Sequence, residues 1–428
     1  MMKTKKPPLA WSKNLTIYEV NLRQYTSGGT FRQFADHLPR LAELGVGLLW
    51  FMPIQPVGKL NRKGALGSYY SISDYTVVDP AYGTLDEFRE LVDRIHAMGM
   101  YVLLDWVANH TAWDNLLTVS HPEFYRRNEA GEVFPPFDEW GDVIGLDYNN
   151  PDLRNYMIGV MQFWLKETGI DGFRCDMANL VPVDFWEQAR RQLDKTKPVF
   201  MLAEAEQREM LNEAFDVIYN WNFLHLMNDM AQGHRSISDL DAMLHFEIEQ
   251  FPTDSYQLLF TSNHDENSWN GSEIERLHYG LEAYTVLYFT LTGMPLIYSG
   301  QEAGNYRRLH FFDKDEISWK QDKMFALFQR LIYLKKTSPA LWSGPYGGRF
   351  TRLSSASPDV FAFSRSKDEN HVVVIINFSA QSRHAELSGL PSGSFMDYFN
   401  GGHAALKNGM NLELKPWEYR VFRSNAGR

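Results

Sequence analysis

Residues 170–204 read Ile170-Asp-Gly-Phe-Arg-Cys-Asp176, then a stretch at helical spacing over Phe185–Leu193, then Val199-Phe-Met-Leu-Ala-Glu204. Two short apolar runs, each ending in an acid, flank one amphipathic helix. The same alternation extends outward in both directions. Apolar runs suited to strands stand at Leu15–Val20, Val46–Met52, Tyr101–Asp105, Asp216–Asn220, Leu258–Asn263 and Leu296–Ser299. Helical spacing recurs at Phe31–Leu44, Leu85–Met98, Asp152–Thr168, Leu281–Thr290 and Met324–Leu334. Parallel strands covered on both faces read as continuous apolar runs between crossover helices. Eight such runs in this chain predict an α/β fold, a (β/α)8 TIM barrel. The alternative is a doubly wound open sheet, but eight units fill a barrel of this length naturally.

The alternation breaks once. Between the run ending at Asp105 and the helix opening near Pro151 no clear period appears, and Trp113, Phe124, Tyr125, Phe134, Phe137 and Trp140 are scattered through it. A long irregular loop in a compact domain is usually functional. It reads as an excursion domain after the third strand, residues 111–150, over the mouth of a barrel made from 1–110 and 151–338. From about Pro339 the pattern changes again. Phe361–Phe363, His371–Asn377, Ala385–Leu387 and Asn411–Leu414 are strand-like, with Gly347-Gly348, Pro391-Ser-Gly393 and Gly401-Gly402 between them. Residues 339–428 therefore read as a C-terminal antiparallel β domain, a β-sandwich.

Composition narrows the function classes. The chain has 428 residues, 44% hydrophobic and 22% charged, which is ordinary globular composition. Its net charge of −11 argues against nucleic acid, whose binding needs cationic contacts to phosphate. A neutral, polar partner suits it. The lone Cys175 excludes internal disulfides and thiol–metal clusters. The N-terminus, Met1-Met-Lys-Thr-Lys-Lys-Pro-Pro8, has charge but no apolar run behind it, and nothing in the chain is apolar enough to span a membrane. A cytoplasmic location is the simplest expectation, and a secreted or periplasmic one applies if a leader was removed. Oligomeric state is not indicated, and a monomer is the default.

Four acids close apolar runs: Asp105, Asp176, Glu204 and, in Leu258-Leu-Phe-Thr-Ser-Asn-His-Asp265, Asp265. In a barrel these ends converge on one face, where active sites lie. One such acid would be read as a helix cap. Four together repel and split their pKa values, which makes sense where an acid and a base work at once. Arg174 lies two residues before Asp176, so both face the same way along the strand and the guanidinium is expected to keep Asp176 ionised. An ionised carboxylate beside a protonated one is the equipment of glycoside hydrolysis; a plain structural ion pair is the alternative. His110 and His264 fall among these acids. With no His-Glu-x-x-His present, neutral hydrogen bonding to hydroxyls suits them better than metal ligation. Neither a G-x-S-x-G elbow nor a P-loop occurs, and Gly45-Val-Gly47 precedes a strand, the wrong order for a dinucleotide fingerprint. Cys175 alternates away from Asp176 and reads as a packed thiol. Trp113 and Trp140 read equally as sugar platforms or as packing of the excursion.

These residues resemble the α-amylase family of retaining glycoside hydrolases (GH13) over almost the whole chain. Asp105-Trp-Val-Ala-Asn109-His110, Gly172-Phe-Arg174-Cys-Asp176, Leu202-Ala-Glu204-Ala and Ser262-Asn-His264-Asp265 are similar, in order, to the family's four signatures. Tyr70-Ser-Ile-Ser-Asp74-Tyr75 and Ile297-Tyr-Ser-Gly300-Gln-Glu302 are also family-like. The resemblance implies Asp176 as nucleophile, Glu204 as general acid/base and Asp265 as transition-state stabiliser. It implies substrate contacts from Tyr70, Asp105, His110, Arg174, Asn179 and His264. The expected activity is cleavage of α-1,4 bonds in starch or maltodextrins, with no cofactor needed for the chemistry. An exo-acting α-glucosidase or a transglycosylase on the same framework is the alternative; these differ in loops that block or open the cleft.

The chain departs from the pattern after the nucleophile. The Lys-His pair common there is replaced by Asn179 and Leu180. The resemblance implies a structural calcium ion held by Asn109, Asp147 and the Leu180 carbonyl, an oxygen-rich set. The rival reading of Asn109 is a hydrogen bond tying down the excursion. The acidic calcium loop that some relatives carry after the first strand is absent, since Asn21–Thr30 holds no acid. A non-catalytic relative acting as a binding subunit would lose catalytic acids, and all three are present here.

Overall fold

A computed structural model describes residues 8–251 and 255–424; the N-terminal stretch Met1–Pro7 lies outside them. The barrel strands and the excursion strands, in chain order, are β1 (Ile17–Val20), β2 (Leu48–Phe51), β3 (Tyr101–Val107), β4 (His110–Ala112), β5 (Val143–Gly145), β6 (Gly172–Asp176), β7 (Phe200–Ala203), β8 (Val217–Tyr219), β9 (Tyr256–Leu259) and β10 (Met294–Tyr298). Eight of them close into a parallel barrel in the ring order β1-β10-β9-β8-β7-β6-β3-β2. Strands β4 and β5 pair antiparallel with each other, His110 opposite Gly145, and carry the excursion between β3 and β6.

Period-two alternation sorts the barrel side chains into two cores. Ile17, Leu48, Leu103, Phe200, Leu202, Val217 and Leu258 fill the interior. Leu49, Phe51, Leu104, Trp106, Phe173, Cys175, Met201 and Ile218 face the surrounding helices. Cys175 is a buried free thiol in that outer layer. The interior rows then change character along each strand. Ile17 leads to Glu19, Leu103 to Asp105, Leu202 to Glu204 and Val217 to Tyr219. The interior is therefore apolar at the strand starts and polar at the carboxyl ends. On β6 the interior row is Gly172, Arg174, Asp176, and a Cβ on Gly172 would stand 1.8 Å from the Phe200 carbonyl oxygen. Only glycine lets β7 approach there.

The helices follow the sequence signals, with instructive exceptions. Thr84 and Glu87 form a capping box at the start of the helix Leu85–Ala97, and Asn150 caps Pro151–Thr168, which ends on a left-handed Gly169. The single helix expected over Phe31–Leu44 is two, Phe31–Ala35 and Leu38–Leu44. Pro39 would clash with the carbonyl of Ala35, four residues back, so the first helix ends there. That carbonyl instead accepts from Arg94 Nη2 at 3.1 Å. The strand expected at Leu258–Asn263 lies earlier, at Tyr256–Leu259, because the chain peels off the sheet after it. Asn263 Oδ1 accepts the Glu266 amide at 2.8 Å and turns the segment into the mouth. Helices Trp221–Ala231 and Ile237–Gln250 have no counterpart in the sequence reading.

The chain ends in eight antiparallel strands: β11 (Arg349–Ser355), β12 (Val360–Lys367), β13 (Asn370–Asn377), β14 (Arg383–Ser388), β15 (Gly393–Asp397), β16 (His403–Leu406), β17 (Met410–Leu414) and β18 (Tyr419–Ser424). They form one order, β16-β15-β18-β13-β12-β11-β14-β17. Side chains from both ends of that order, Leu406 and Phe395 with Leu387 and Leu414, share one apolar cluster with Ala362, Val373 and Ile375 of its middle. Strands β11, β15 and β16 escape the sequence reading because their exposed faces dilute the apolar signal, and β18 escapes it because only Val421 and Phe422 are buried.

Gly172→Ala is expected to destabilise the protein by about 2–4 kcal/mol, as overpacking against a backbone that cannot retreat. Urea unfolding measures it, and a change within error would show that β6 and β7 can part without cost.

Candidate active site

The carboxyl ends of the barrel strands carry a charged cluster centred on Arg174, which is fully buried. Its Nη1 lies 3.0 Å from Asp105 Oδ1 and 3.0 Å from Asp176 Oδ1, and its Nη2 lies 2.8 Å from Glu204 Oε2. The Nη2 contact is a charge contact without hydrogen-bond alignment. Nε donates to the Tyr219 hydroxyl at 3.3 Å, and the guanidinium sits 4.9 Å from the Trp50 ring centre. One planar cation thus spaces three carboxylates.

Each carboxylate has a different setting. Asp105 is buried at the floor and accepts from Trp50 Nε1 and the Tyr70 hydroxyl, both 3.1 Å, besides Arg174. Glu204 Oε2 accepts the Met177 amide at 2.8 Å. Met177 follows Asp176 in a left-handed conformation, φ 40°, which aims that amide across to β7. Asp176 Oδ1 is held by Arg174, while Oδ2 accepts no hydrogen bond. Asp265, past the end of β9, is the most open of the four, its side chain 36% exposed.

A second chain of contacts joins the far side of the ring. His264 Nδ1 lies 2.6 Å from Glu19 Oε1, and Nε2 lies 2.7 Å from the Tyr70 hydroxyl and 3.3 Å from Asp265 Oδ2. Burial alone would lower the His264 pKa, but Asp265 and Glu19 outweigh it and lift it to about 9. Both ring nitrogens therefore donate at neutral pH, and Tyr70 passes its own proton toward Asp105. This corrects the expectation of a neutral His264. His110, by contrast, is pushed down to about 4 by burial and is neutral, as expected. Its ring lies 5.5 Å from Trp140 of the excursion.

The expected effect of Arg174 on Asp176 is also corrected. Burial and the neighbouring Glu204 push Asp176 well above the ordinary carboxylate range, and Arg174 only partly pulls it back. Asp105 is raised by burial in the same way. One guanidinium is divided among three acids, so it offsets only part of their burial and mutual repulsion.

Arg174 and Asp105 are fully buried, beneath the other carboxylates and not open to the cleft. Tyr70, His110, His264, Asp176, Glu204 and Asp265 converge on the mouth. Asn179 does not join them; it is exposed and lines a separate cavity with Leu180, Arg126 and Glu209. The sequence reading missed Glu19, Trp50 and Tyr219. Glu19 had a signal, an acid inside the apolar run Ile17-Tyr-Glu-Val20. Trp50 and Tyr219 had none, since aromatic residues at such positions read as core.

The residues implied for calcium do not fit that ion. Asp147 and Leu180 line a cavity of about 670 Å3, and Arg126 and Arg127 line the same cavity. Asn109 is not among its lining residues, although Asn109 Oδ1 is buried without a partner. Asp147 Oδ1 already accepts from the Asn149 amide and side chain, at 3.1 and 2.9 Å. Among the described residues no three acidic, histidine or cysteine side chains gather for a metal. A single carboxylate, already bonded to Asn149, is a poor match for a cation that takes six to eight oxygens. The excursion is tied down by backbone and tyrosine instead: Leu146 N donates to Asn109 O at 3.0 Å, and the Tyr148 hydroxyl to Ala108 O at 2.8 Å.

A closed parallel barrel with convergent acids at its carboxyl face, an excursion after β3 and a C-terminal β domain is the architecture of a glycosidase. Residues 12–124 and 141–329 match the family model for the α-amylase catalytic domain, and 350–421 match that for the C-terminal domain of maltogenic amylases. The chain belongs to the α-amylase family of glycoside hydrolases. It is 26% identical over 432 aligned residues, 92% of this chain and 70% of the relative, to a maltogenic α-amylase of Bacillus acidopullulyticus. It is 27% identical to a cyclomaltodextrinase of a Bacillus species, over 86% of this chain and 69% of the relative. Among solved structures, a noncanonic maltogenic α-amylase from Thermotoga neapolitana superposes with a TM-score of 0.90 at 30% identity, covering 97% of this chain and all of that one. An α-amylase from Lactobacillus plantarum does so with a TM-score of 0.88 at 29% identity, with the same coverage. No helix among the described residues is long and apolar enough to cross a membrane.

Two measurements check this site. A histidine whose pKa rises from about 6.5 unfolded to about 9 folded stabilises the protein fully below pH 6.5, and that stability is lost as pH rises through 9. The upper bound is about 3 kcal/mol. The unfolding midpoint should fall between pH 6.5 and 9.5 in wild type and change less in Glu19→Gln; parallel curves would contradict the pair. Separately, chelation with EDTA should leave the unfolding midpoint within about 1 °C. A drop of several degrees, restored by calcium, would show a site that these residues do not reveal.

Proposed function

We propose that the protein hydrolyses α-1,4-glucosidic bonds of starch or maltodextrins with retention of anomeric configuration. The observation that carries this reading is the arrangement of Asp176 and Glu204 on the two terminal nitrogens of one guanidinium. Two carboxylates gathered on one guanidinium suit a nucleophile and an acid/base, which retaining enzymes place about 5–5.5 Å apart.

In the first step Asp176 Oδ2, free of hydrogen bonds, attacks the anomeric carbon. Glu204, protonated, gives its proton to the leaving glycosidic oxygen. The glycosyl–Asp176 ester that results is then opened by water, from which Glu204 takes the proton back. Asp265, open to the cleft, accepts hydroxyl hydrogens of the ring as it flattens, favouring the transition state over the ground state. Neutral His110 and Tyr70 line the same subsite, with Tyr70 fixed by His264 and Asp105. The substrate class is supported by relatives whose names describe maltogenic amylase, cyclomaltodextrinase and neopullulanase.

Wild type should release reducing ends from soluble starch and maltoheptaose, and the first product should be the α anomer by NMR. A β anomer would mean inversion. Asp176→Asn, Glu204→Gln and Asp265→Asn should each lower kcat by about a thousandfold or more, with unchanged unfolding midpoints. Full activity in Asp176→Asn would remove it as nucleophile. Longer oligosaccharides without new reducing ends would favour the transglycosylase reading on the same residues.

A further inference from the structure

The ring order of the barrel gives the cleft two unlike sides. Glu204 rises from the end of β7, and β1 lies four strands from β7 in either direction around the ring. The proton donor marks the side of the leaving group. The glycosyl unit held by Asp176, and any sugars before it, then lie toward the opposite side, under the loops that follow β2, β3 and β10.

Those three loops are fastened to each other. The β2 loop runs through Gly58–Gly67 and meets the excursion at one end. Lys59 N and Leu60 N donate to Asp114 Oδ2 at 2.8 and 3.2 Å. At its crest, Lys63 Nζ pairs with Asp142 Oδ1 at 3.0 Å and donates to the Glu139 carbonyl at 2.6 Å. The other end meets the β10 loop, where Ala65 N donates to Asp313 Oδ1 and Leu66 N to the Phe312 carbonyl, at 2.8 and 2.9 Å. Gly64 takes φ +63°, and a Cβ there would stand 2.5 Å from Phe312 Cβ, so the two loops touch at the backbone. Phe312 packs on Phe311 and Trp269, and Phe311 lies 6.3 Å from the His264 ring. On the excursion side, Trp140 next to Glu139 lies against His110. The contacts form an unbroken span from one wall of the site to the other. On the Glu204 side the segment that follows is more open, with Glu206 half-buried and Gln207 exposed, and it is tied locally, from the Asn222 amide to Glu206 Oε1 at 3.1 Å.

We propose that the Lys63 bridge closes the non-reducing end of the cleft, so that only one or two sugar rings fit before the cleaved bond and the enzyme acts from the chain end. This rests on the α-glucan reading above and on its assignment of Glu204 as proton donor. Specificity then comes from a wall and not from an added contact. The polymer enters with its non-reducing end against the bridge, and the remainder leaves over the open Glu204 side.

The test compares p-nitrophenyl maltoheptaoside with the same compound blocked by a 4,6-ethylidene group on its non-reducing ring, with products sized by chromatography. Wild type should trim the free substrate to glucose or maltose from its non-reducing end and refuse the blocked one. Lys63→Ala with Asp114→Ala removes both anchors to the excursion and touches neither the carboxylates nor the core. It should raise the rate on the blocked substrate relative to the free one by about tenfold or more. Lys63→Ala alone should move the ratio the same way, by less. An unfolding midpoint near that of wild type shows that the variants are folded. Equal cleavage of both substrates by wild type overturns the inference and leaves the hydrolase reading intact. An unchanged ratio in the folded double variant overturns the role of the bridge. Silence of wild type on both substrates removes the α-glucan reading, and this inference with it.

Discussion

The contact on which the site depends is the guanidinium of Arg174 beneath Asp105, Asp176 and Glu204. Three acids at this spacing in a buried setting would repel strongly and take up protons. An arginine is suited to the position because it is planar, permanently charged and able to donate in several directions at once. It does not neutralise the cluster. It fixes where each carboxylate points and leaves a deficit of positive charge, so burial and the neighbouring Glu204 push Asp176 well above the ordinary carboxylate range. Asp105, Asp176 and Glu204 are thereby gathered around one cation.

The rest of the barrel serves that arrangement. Interior positions are apolar where the strands begin and polar where they end, so the charged cluster rests on a packed floor that excludes water. The second chain, Glu19–His264–Tyr70–Asp105, braces the cluster from the opposite side of the ring. Its charged histidine adds a second cation near the carboxylates without occupying the cleft. Gly172 belongs to the same design, since a side chain there would separate the two strands that carry Asp176 and Glu204.

Much of this was legible in the sequence for a simple reason. Buried strands have to be apolar, so acids such as Asp105, Asp176 and Glu204 at the ends of apolar runs stand out, and the barrel topology says that such ends meet. Arg174 was legible because alternation places it on the same face as Asp176. The split helix at Pro39 and the shifted β9 were harder, because a 3.6-residue or apolar pattern does not report where hydrogen bonding stops. Strands β15 and β16 of the C-terminal domain carry too few buried positions to stand out.

What the sequence determined by itself is the class of fold and the identity of the acids, because both follow from local rules of burial and alternation. What only the tertiary structure decided is how the charges are shared and which loops meet. Whether Arg174 serves one carboxylate or three, whether His264 is neutral or charged, whether Asn109, Asp147 and Leu180 converge, and which loops Lys63 joins all depend on distances between residues far apart in the chain. Electrostatic energies vary with those distances and with burial, and neither quantity is written in the order of the residues.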